Sequence, residues 1–170
     1  MTYAIMMLVG VPGSGKSTYA QGVIKELEAE NHTVAYISRD KIRFNMLESN
    51  DLYFDKEKAV FNEFIRQINQ AIEDGFEYVI IDATHVSPVS RAKVLKRVRA
   101  PSYVALNIMV MDCSLETCIE RNEKRTGIYK VPVSAIENMY KNFVYPTSEE
   151  FMQYDYESVR IIEIEEEGNK

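Results

Sequence analysis

The segment Gly10–Ser17 carries the strongest chemical signal in the chain. Its residues, Gly-Val-Pro-Gly-Ser-Gly-Lys-Ser, fill every fixed position of the phosphate-binding pattern G-x-x-x-x-G-K-[ST]. Glycine reaches backbone angles that residues with a Cβ rarely adopt, so successive N–H groups can point at one phosphate. An apolar run before the segment and a helical pattern after it give this loop its usual context. We therefore predict that a nucleoside triphosphate binds at Gly10, Gly13, Ser14, Gly15, Lys16, Ser17 and Thr18.

Two oxygen-bearing side chains are candidates for a metal site beside this loop. The Ser17 hydroxyl is expected to bind Mg²⁺, while Lys16 reaches the β- and γ-phosphates. Asp82 ends the apolar run 76–82, which has the Walker-B pattern, and an acid at that place orients the metal or its water. The predicted cofactors are thus ATP, or another NTP, and Mg²⁺.

Asp40 is the candidate general base. It follows the predicted strand 33–37, and in an open parallel sheet the ligand crevice lies outside the carboxyl ends of the strands. Asp40 should therefore face the same crevice as the phosphate loop and accept the proton of an attacking hydroxyl, a role that contributes about 10²–10⁴-fold. The alternatives are that Asp40 only caps the helix predicted over 40–47, and that Arg43 is a solvated charge on that helix.

Arg121 and Arg125 are four residues apart near the end of a predicted helix, next to the turn Thr126-Gly127. This spacing predicts two guanidinium groups on one helix face, in a mobile lid that brings positive charge to the transferring phosphoryl group. Alternatively, they pair with Glu120 or Glu123 on the surface and contribute well under about 1 kcal/mol.

Other charged residues admit less specific interpretations. The helix predicted over 88–99 is basic and is interpreted as a solvated face, although it could track a nucleic-acid strand; it carries Arg91, Lys93, Lys96, Arg97 and Arg99. His85 is interpreted as a loop residue without a catalytic role. Two histidines without clustered ligands argue against a zinc site.

Strand and helix patterns alternate along the chain. Strands are predicted over 4–9, 33–37, 76–82, 103–111 and, at an edge of the sheet, 158–164; helices over 16–30, 40–47, 56–73, 88–99, 115–125 and 132–142, with a short one after 146. This order predicts an α/β fold with a mostly parallel sheet of about five strands, helices on both faces and an arginine-bearing lid. A length of 170 residues predicts one domain, 1–170.

Composition narrows the functional classes. The formal net charge of −6 argues against broad non-specific binding of nucleic acids. No apolar run approaches the length of a membrane span, so we expect no membrane partner. Cys113 and Cys118 lack metal-ligand spacing and are expected to be reduced thiols, which suits a cytoplasmic protein. The oligomeric state stays open.

Several motifs occur in a characteristic order after the phosphate loop. They are Arg39-Asp40-x-x-Arg43, the Walker-B strand leading to Thr84 and Pro88-x-x-Arg91, Arg121-Asn122-x-x-Arg125, Val131-Pro132 and Met139-Tyr140-Lys141. Over roughly residues 4–145 this order resembles the 5′-kinase domain of bacteriophage-type polynucleotide kinases. The phosphate loop alone is generic, whereas the other motifs are more specific.

The resemblance implies a P-loop kinase fold and a set of roles. Asp40 would activate the 5′-hydroxyl of a nucleic-acid end, and Arg43 would contact the acceptor's terminal phosphate. Thr84 and Arg91 would also belong to the acceptor site, while Arg121 and Arg125 would contact the donor phosphates. The chain departs from the family at Ala83, where the family has an acid, and it has no phosphatase domain, so phosphorylation without 3′-end repair is implied.

Three functional hypotheses follow. The first is an NTP- and Mg²⁺-dependent kinase for the 5′-hydroxyl of DNA or RNA. The second is a P-loop kinase for a small molecule, such as a nucleoside, nucleotide, antibiotic or sugar. The third is a module that binds NTP without useful turnover. Replacing Asp40 with Asn separates the kinases from the binding module, because a binding module has no transfer to lose.

Overall fold

The computed structural model describes residues 1–165, so the last five residues of the predicted domain 1–170 lie outside the described chain. Within it, the strands are β1 (Ala4–Val9), β2 (Val34–Ser38), β3 (Tyr78–Asp82), β4 (Ala105–Met111) and β5 (Ser158–Ile164). They form one sheet in the order β2-β3-β1-β4-β5, and all neighbours are parallel. The predicted α/β class, the parallel sheet and the edge position of β5 are confirmed.

The α-helices of the described chain are α1 (Lys16–Ala29), α2 (Arg39–Met46), α3 (Glu57–Glu73), α4 (Pro88–Leu95), α5 (Leu115–Glu123), α6 (Val133–Lys141) and α7 (Ser148–Phe151), and a short 3-10 helix, Gly127–Tyr129, lies between α5 and α6. The predicted continuation of α4 to Arg99 is wrong. The side-chain amide of Asn69, on α3, donates to the carbonyl oxygen of Arg97 (3.0 Å) and accepts from the N–H of Arg99 (2.8 Å). These bonds satisfy the backbone of a turn, so the chain leaves the helix early.

Both faces of the sheet are covered, as predicted. Ile5, Met7 and Val9 of β1 belong to a core cluster with buried residues of α3 and α4. Leu8 belongs to the cluster on the other face, with Ala20 of α1. Alternate residues of β1 are therefore apolar on both sides, which explains the continuous apolar run in the sequence.

The topology brings three loops to one edge of the sheet. Leu8 of β1 and Ser38 of β2 both pair in register with Asp82, the last residue of β3. The segments that follow these three strands consequently leave the sheet side by side. The N–H of Gly10 donates to the carbonyl oxygen of Thr84 at 2.9 Å, which ties the first and third of them together.

Two smaller expectations can be compared with the structure. Cys113 and Cys118 are both buried, and no disulfide joins them. No helix in the described chain combines the length and the hydrophobicity that crossing a bilayer requires.

Candidate functional site

The loop between β1 and α1 has the backbone that its glycines predict. Gly13 and Gly15 have φ of +84° and +95°, in the left-handed region that favours glycine. A Cβ on Gly13 would lie 2.6 Å from the carbonyl oxygen of Cys118, so a larger residue would also collide with α5. Ser14, within the loop, is buried, while Thr18 is exposed in the first turn of α1.

Lys16 is folded into the loop. Its side chain is buried, and Nζ donates to the carbonyl oxygens of Gly10 (2.9 Å) and Val11 (3.0 Å). Burial lowers the pKa of Lys16, an effect that the carboxylates of Asp82 and Asp40 oppose. An ammonium group surrounded mainly by neutral carbonyls gains from an anionic partner, and a triphosphate in the loop would supply one.

Ser17 and Asp82 fit the requirements of a magnesium site. The Ser17 hydroxyl donates to Oδ2 of Asp82 at 3.0 Å, which leaves the lone pairs of Ser17 Oγ for a cation. The described chain holds no cluster of three or more His, Cys, Asp or Glu side chains that would enclose a metal. Mg²⁺ takes one or two protein oxygens and completes its shell with phosphates and water, so Ser17 and Asp82 would be sufficient to hold it beside a triphosphate. The carboxylate beside Ser17 is therefore that of Asp82, one residue before Ala83.

Asp40 lies on α2, at the cleft that separates this helix from the phosphate loop. The cleft has a volume of about 190 Å³ and is lined by Lys16, Asp40, Asp82 and Thr84, among others. Asp40 does not cap the helix, because the Ser38 hydroxyl accepts the bond from the N–H of Lys41. The interpretation of Asp40 as a mere cap is therefore wrong.

Two donors orient the Asp40 carboxylate. Oδ1 accepts from the guanidinium of Arg43 and from the hydroxyl of Tyr53, the latter at 3.0 Å. Burial and the Asp40 charge raise the pKa of Tyr53, so this hydroxyl stays a donor. Among the described residues no hydrogen bond reaches Oδ2, which is therefore free to accept a proton from a substrate.

Arg43 is a buried residue, not a solvated helix charge. Only 5% of it is exposed, and it makes two contacts with Glu57, at 2.8 Å from Nε and 2.6 Å from Nη2. Burial alone would lower the pKa of Arg43, but Tyr53, Asp40 and Glu57 together raise it. An acceptor phosphate would have to compete with Glu57 for this guanidinium.

Arg91 does not belong to the acceptor site. It is completely buried, and its Nε lies 2.6 Å from Oε1 of Glu150. Its other nitrogens donate to the carbonyl oxygens of His85 (2.7 Å) and Val144 (3.1 Å). The predicted contact with substrate is wrong, and so is the alternative of a solvated charge. The guanidinium instead joins α4 to α7 and to the segment 142–147, which precedes α7.

The other basic residues of the segment 88–99 do not form one surface with Arg91. Arg97 donates to the side chain of Asn62, and Arg99 pairs with Glu73, both on α3. These contacts are exposed and contribute little to stability.

Arg121 and Arg125 lie near the loop but not on one helix face. Nη1 of Arg121 donates to the carbonyl oxygen of Gly13 at 3.0 Å. Arg125 lies beyond the end of α5 at Glu123, and the side chain of Asn122 holds the backbone of Val131 beside the helix. Burial and the carboxylates of Asp82 and Asp40 have the larger effects on the pKa of Lys16. The charge of Arg125 also lowers this pKa.

Sequence reasoning missed Tyr36, Tyr53 and Glu57. Tyr53 lies within an irregular acidic connection, 47–56, and Glu57 follows it; no periodicity in this connection assigns a direction to any side chain. Tyr36 has the pattern of an ordinary strand residue, yet its hydroxyl donates to Asp82. The available signal for Glu57 was an acid at the start of a helix close to the motif Arg39-Asp40-x-x-Arg43.

Comparisons with known proteins agree with this geometry. A family model described as an AAA domain matches residues 5–146. A protein of Autographa californica nuclear polyhedrosis virus, described as a bifunctional polynucleotide kinase/RNA ligase, is 30% identical over 145 residues, 82% of this chain and 21% of its own length. The adenylyl-sulfate kinase of Bacillus licheniformis is 32% identical over 131 residues, 75% of this chain and 61% of its own.

Solved structures give a similar result. A chain in the Pnkp1/Rnl/Hen1 RNA repair complex superimposes with a TM-score of 0.66 and 26% identity, covering 84% of this chain and 44% of that one. The present chain thus spans about one fifth of the viral protein and less than half of the chain from the repair complex. The family model covers the phosphate loop of this chain. The viral protein and the chain from the repair complex support the resemblance to a polynucleotide kinase domain.

Proposed function

The chain belongs to the AAA domain family as a P-loop kinase, and we propose that it transfers the γ-phosphate of ATP, or of another NTP, to the 5′-hydroxyl of a DNA or RNA end. The observation that carries the proposal is that Asp40, with one carboxylate oxygen free, shares a cleft with Lys16 of the phosphate loop. The kinase domain would cover residues 1–170. The similarity to the viral polynucleotide kinase/RNA ligase supports a nucleic-acid acceptor.

The residues of the cleft would divide the reaction between them. Oδ2 of Asp40 accepts the proton of the 5′-hydroxyl while the hydroxyl oxygen attacks the γ-phosphorus. The bond between the γ-phosphorus and the β,γ-bridging oxygen breaks, which releases NDP. Lys16 and the loop amides bind the donor, and Arg121 and Arg125 add positive charge beside them. Mg²⁺, held by Ser17 and oriented by Asp82, would neutralise charge on the β- and γ-phosphates.

Arg43 and Tyr53 are proposed as positioning residues in this scheme. Both donate to Oδ1 of Asp40, so the carboxylate presents its other oxygen to the acceptor. Thr84 lines the same cleft and remains a proposed acceptor contact. Contact between Arg43 and an acceptor phosphate also remains a proposal, and it would require displacement of Glu57.

A single assay tests the function. The protein is incubated with Mg²⁺, γ-labelled ATP and single-stranded DNA or RNA with a 5′-hydroxyl, and a matched strand with a 5′-phosphate serves as the control. We expect label on the 5′-hydroxyl strand alone. No label on either strand, together with label on adenylyl sulfate or on a nucleoside when these are supplied as acceptors in parallel reactions, would replace the proposal with a small-molecule kinase.

The base is tested in the same assay. Asp40→Asn should lower the turnover number by about 10²–10⁴-fold and leave ATP binding unchanged. Asp155→Asn, in the exposed turn between α7 and β5, is the matched control and should keep full activity. Full activity of Asp40→Asn would remove Asp40 from the mechanism.

A second candidate, a kinase for a nucleotide such as adenylyl sulfate, is favoured by the similarity to the Bacillus licheniformis enzyme. The two candidates share the donor site and differ in what fills the cleft beside Asp40. Adding adenylyl sulfate to the assay as a competing acceptor decides between them.

A further inference from the structure

Four aromatic side chains form a continuous band beside the cleft that contains Asp40, and we name this band the aromatic lip. It consists of Phe44, Tyr53, Phe54 and Tyr129. Ring centroids lie 4.7 Å apart for Tyr129 and Phe44, 6.2 Å for Phe44 and Tyr53, and 4.7 Å for Tyr53 and Phe54. The rings come from α2, from the connection before α3 and from a short 3-10 helix after α5, Gly127–Tyr129.

The two ends of the lip are open to solvent. Phe54 is 40% exposed and Tyr129 is 52% exposed. The guanidinium of Arg43 lies over the rings of Tyr53 and Phe54, with 4.6 and 5.7 Å between Cζ and the ring centroids. Tyr53 and Phe54 also line the cleft itself. These two rings therefore form part of the wall of the cleft that contains Asp40.

The connection that carries Tyr53 and Phe54 is acidic. The connection 47–56 contains three carboxylates, Glu48, Asp51 and Asp55, against one lysine, Lys56. That lysine pairs with Asp51 at 3.0 Å and with Glu48 at 3.6 Å, and it donates to the carbonyl oxygen of Met46. A surplus of negative charge repels a chain of phosphates, whereas it does not oppose a neutral planar ring.

We infer that the aromatic lip stacks the nucleobase of the acceptor nucleotide that carries the reacting hydroxyl, and that recognition extends little beyond this nucleotide. The inference rests on the proposed function. A 5′-hydroxyl bound at Asp40 brings its own base to the mouth of the cleft, and aromatic side chains stack any base, because each has a π-face. The acidic connection explains why few further phosphates would be held.

Two matched oligonucleotides test the inference. They share sequence and 5′-hydroxyl but differ in whether the first nucleotide carries a base or a stable abasic sugar. We expect the KM for the abasic strand to be about 10- to 100-fold higher. Phe54→Leu and Tyr129→Leu should each raise the KM for the base-bearing strand and reduce this difference. Tyr103 is an exposed tyrosine just before β4, at the amino ends of the strands. Tyr103→Leu should change neither the KM for the base-bearing strand nor the difference between the two strands.

A binding experiment tests the short footprint. The affinity of a fluorescent single strand is measured at several salt concentrations by anisotropy. The log–log slope should be no steeper than about −2, which corresponds to about three neutralised phosphates. A slope several times steeper would overturn the short footprint.

The outcomes separate the inference from the proposed function. Transfer to both strands with the same KM would overturn base stacking and leave the kinase function intact. Transfer to neither strand would overturn the proposed function and the inference with it. Because Tyr129 is an exposed residue at the end of a short 3-10 helix, its replacement by Leu should leave the fold intact, and circular dichroism verifies this for each variant.

Discussion

The hydroxyl of Tyr36 donates a hydrogen bond to Oδ2 of Asp82, the oxygen that also accepts from Ser17. Tyr36 lies on β2, and Asp82 ends the neighbouring strand β3. Burial and the Asp82 charge raise the pKa of Tyr36, so its hydroxyl remains a donor. Two donors on one oxygen fix the orientation of a buried carboxylate that would otherwise lose its solvation without compensation.

Tyr36→Phe should therefore weaken the magnesium site and leave the fold intact. The variant keeps the ring and loses only the hydroxyl that holds Asp82. Because groups behind metal ligands typically contribute a factor of 10 or more, we expect the Mg²⁺ concentration for half-maximal ATP binding to rise roughly 10-fold. Calorimetric titration of ATP at several Mg²⁺ concentrations measures this value without turnover.

Tyr78→Phe is the matched control, since Tyr78 begins β3 at the other end of the strand. It should keep the wild-type Mg²⁺ dependence. An unchanged dependence in Tyr36→Phe would show that Ser17 is sufficient to orient Asp82.

Arg91 is expected to matter for stability and not for substrate binding. Removal of one partner of a buried ion pair leaves the other charge uncompensated, so Arg91→Met should lower the free energy of unfolding by about 3–5 kcal/mol. The double variant Arg91→Met with Glu150→Leu should recover part of this loss. Urea denaturation measures the stability, and the exposed Arg97→Met is the control, with a change of about 0.5 kcal/mol or less.

A raised acceptor KM in Arg91→Met, without loss of stability, would instead restore Arg91 to the acceptor site. This outcome needs a guanidinium that reaches the cleft, which the bonds to Glu150, His85 and Val144 do not allow.

The fold was predictable from the sequence because local patterns determine it. The boundaries of β1 agree with the prediction, and α3 begins one residue after the predicted start. The apolar residues of β1 are buried on both faces of the sheet, and the phosphate loop follows the carboxyl end of this strand. Once the strands are parallel, their carboxyl ends bring Lys16, Asp40 and Asp82 to one edge of the sheet.

The pairing of side chains was not predictable in the same way. Arg91 looked like one of several basic residues on a helix, and its partner Glu150 is 59 residues away in the chain. Glu57 joins Arg39 and Arg43 across an irregular connection. Such contacts depend on the tertiary path of the loops, for which periodicity and spacing give no information.

Asn122 is expected to anchor the connection between α5 and α6. It is fully buried, and its side-chain amide donates to the carbonyl oxygen of Val131 (2.8 Å) and accepts from the N–H of Val131 (2.9 Å). Asn122→Ala leaves both backbone groups of Val131 unsatisfied, at a local cost of about 1–3 kcal/mol each. The intervening segment, with Arg125 and Tyr129, should then open more often.

Trypsin measures this opening, because the segment contains Lys124, Arg125 and Lys130. We expect cleavage of Asn122→Ala to be roughly 10-fold faster than that of wild type, and the KM for ATP to rise. Asn138→Ala, at an exposed position of α6, should behave like wild type. Equal cleavage rates would show that other contacts hold the segment.

His85 is a buried histidine next to the phosphate loop. Its Nδ1 lies 2.6 Å from the carbonyl oxygen of Leu8, so this nitrogen carries the proton, while Nε2 is buried without a partner among the described residues. Burial lowers the pKa of His85 to about 3. The backbone at His85 is left-handed, with φ of +47°, a conformation that Asn tolerates well.

The pH dependence of folding should report this neutral histidine. Between the unfolded pKa of about 6.5 and the folded pKa of about 3, the His85 imidazole is protonated to the cation in the unfolded chain and stays neutral in the folded protein. The free energy of unfolding therefore falls as the pH falls. Between about pH 7 and about pH 5, wild type should lose about 2 kcal/mol more than His85→Asn, which lacks the titrating group. Urea denaturation of both proteins at each pH gives this difference, in which contributions from carboxylates cancel. Parallel curves of stability against pH would mean that the His85 imidazole becomes cationic in the folded protein over this pH range. The interpretation of His85 as a neutral, buried ring would then be wrong.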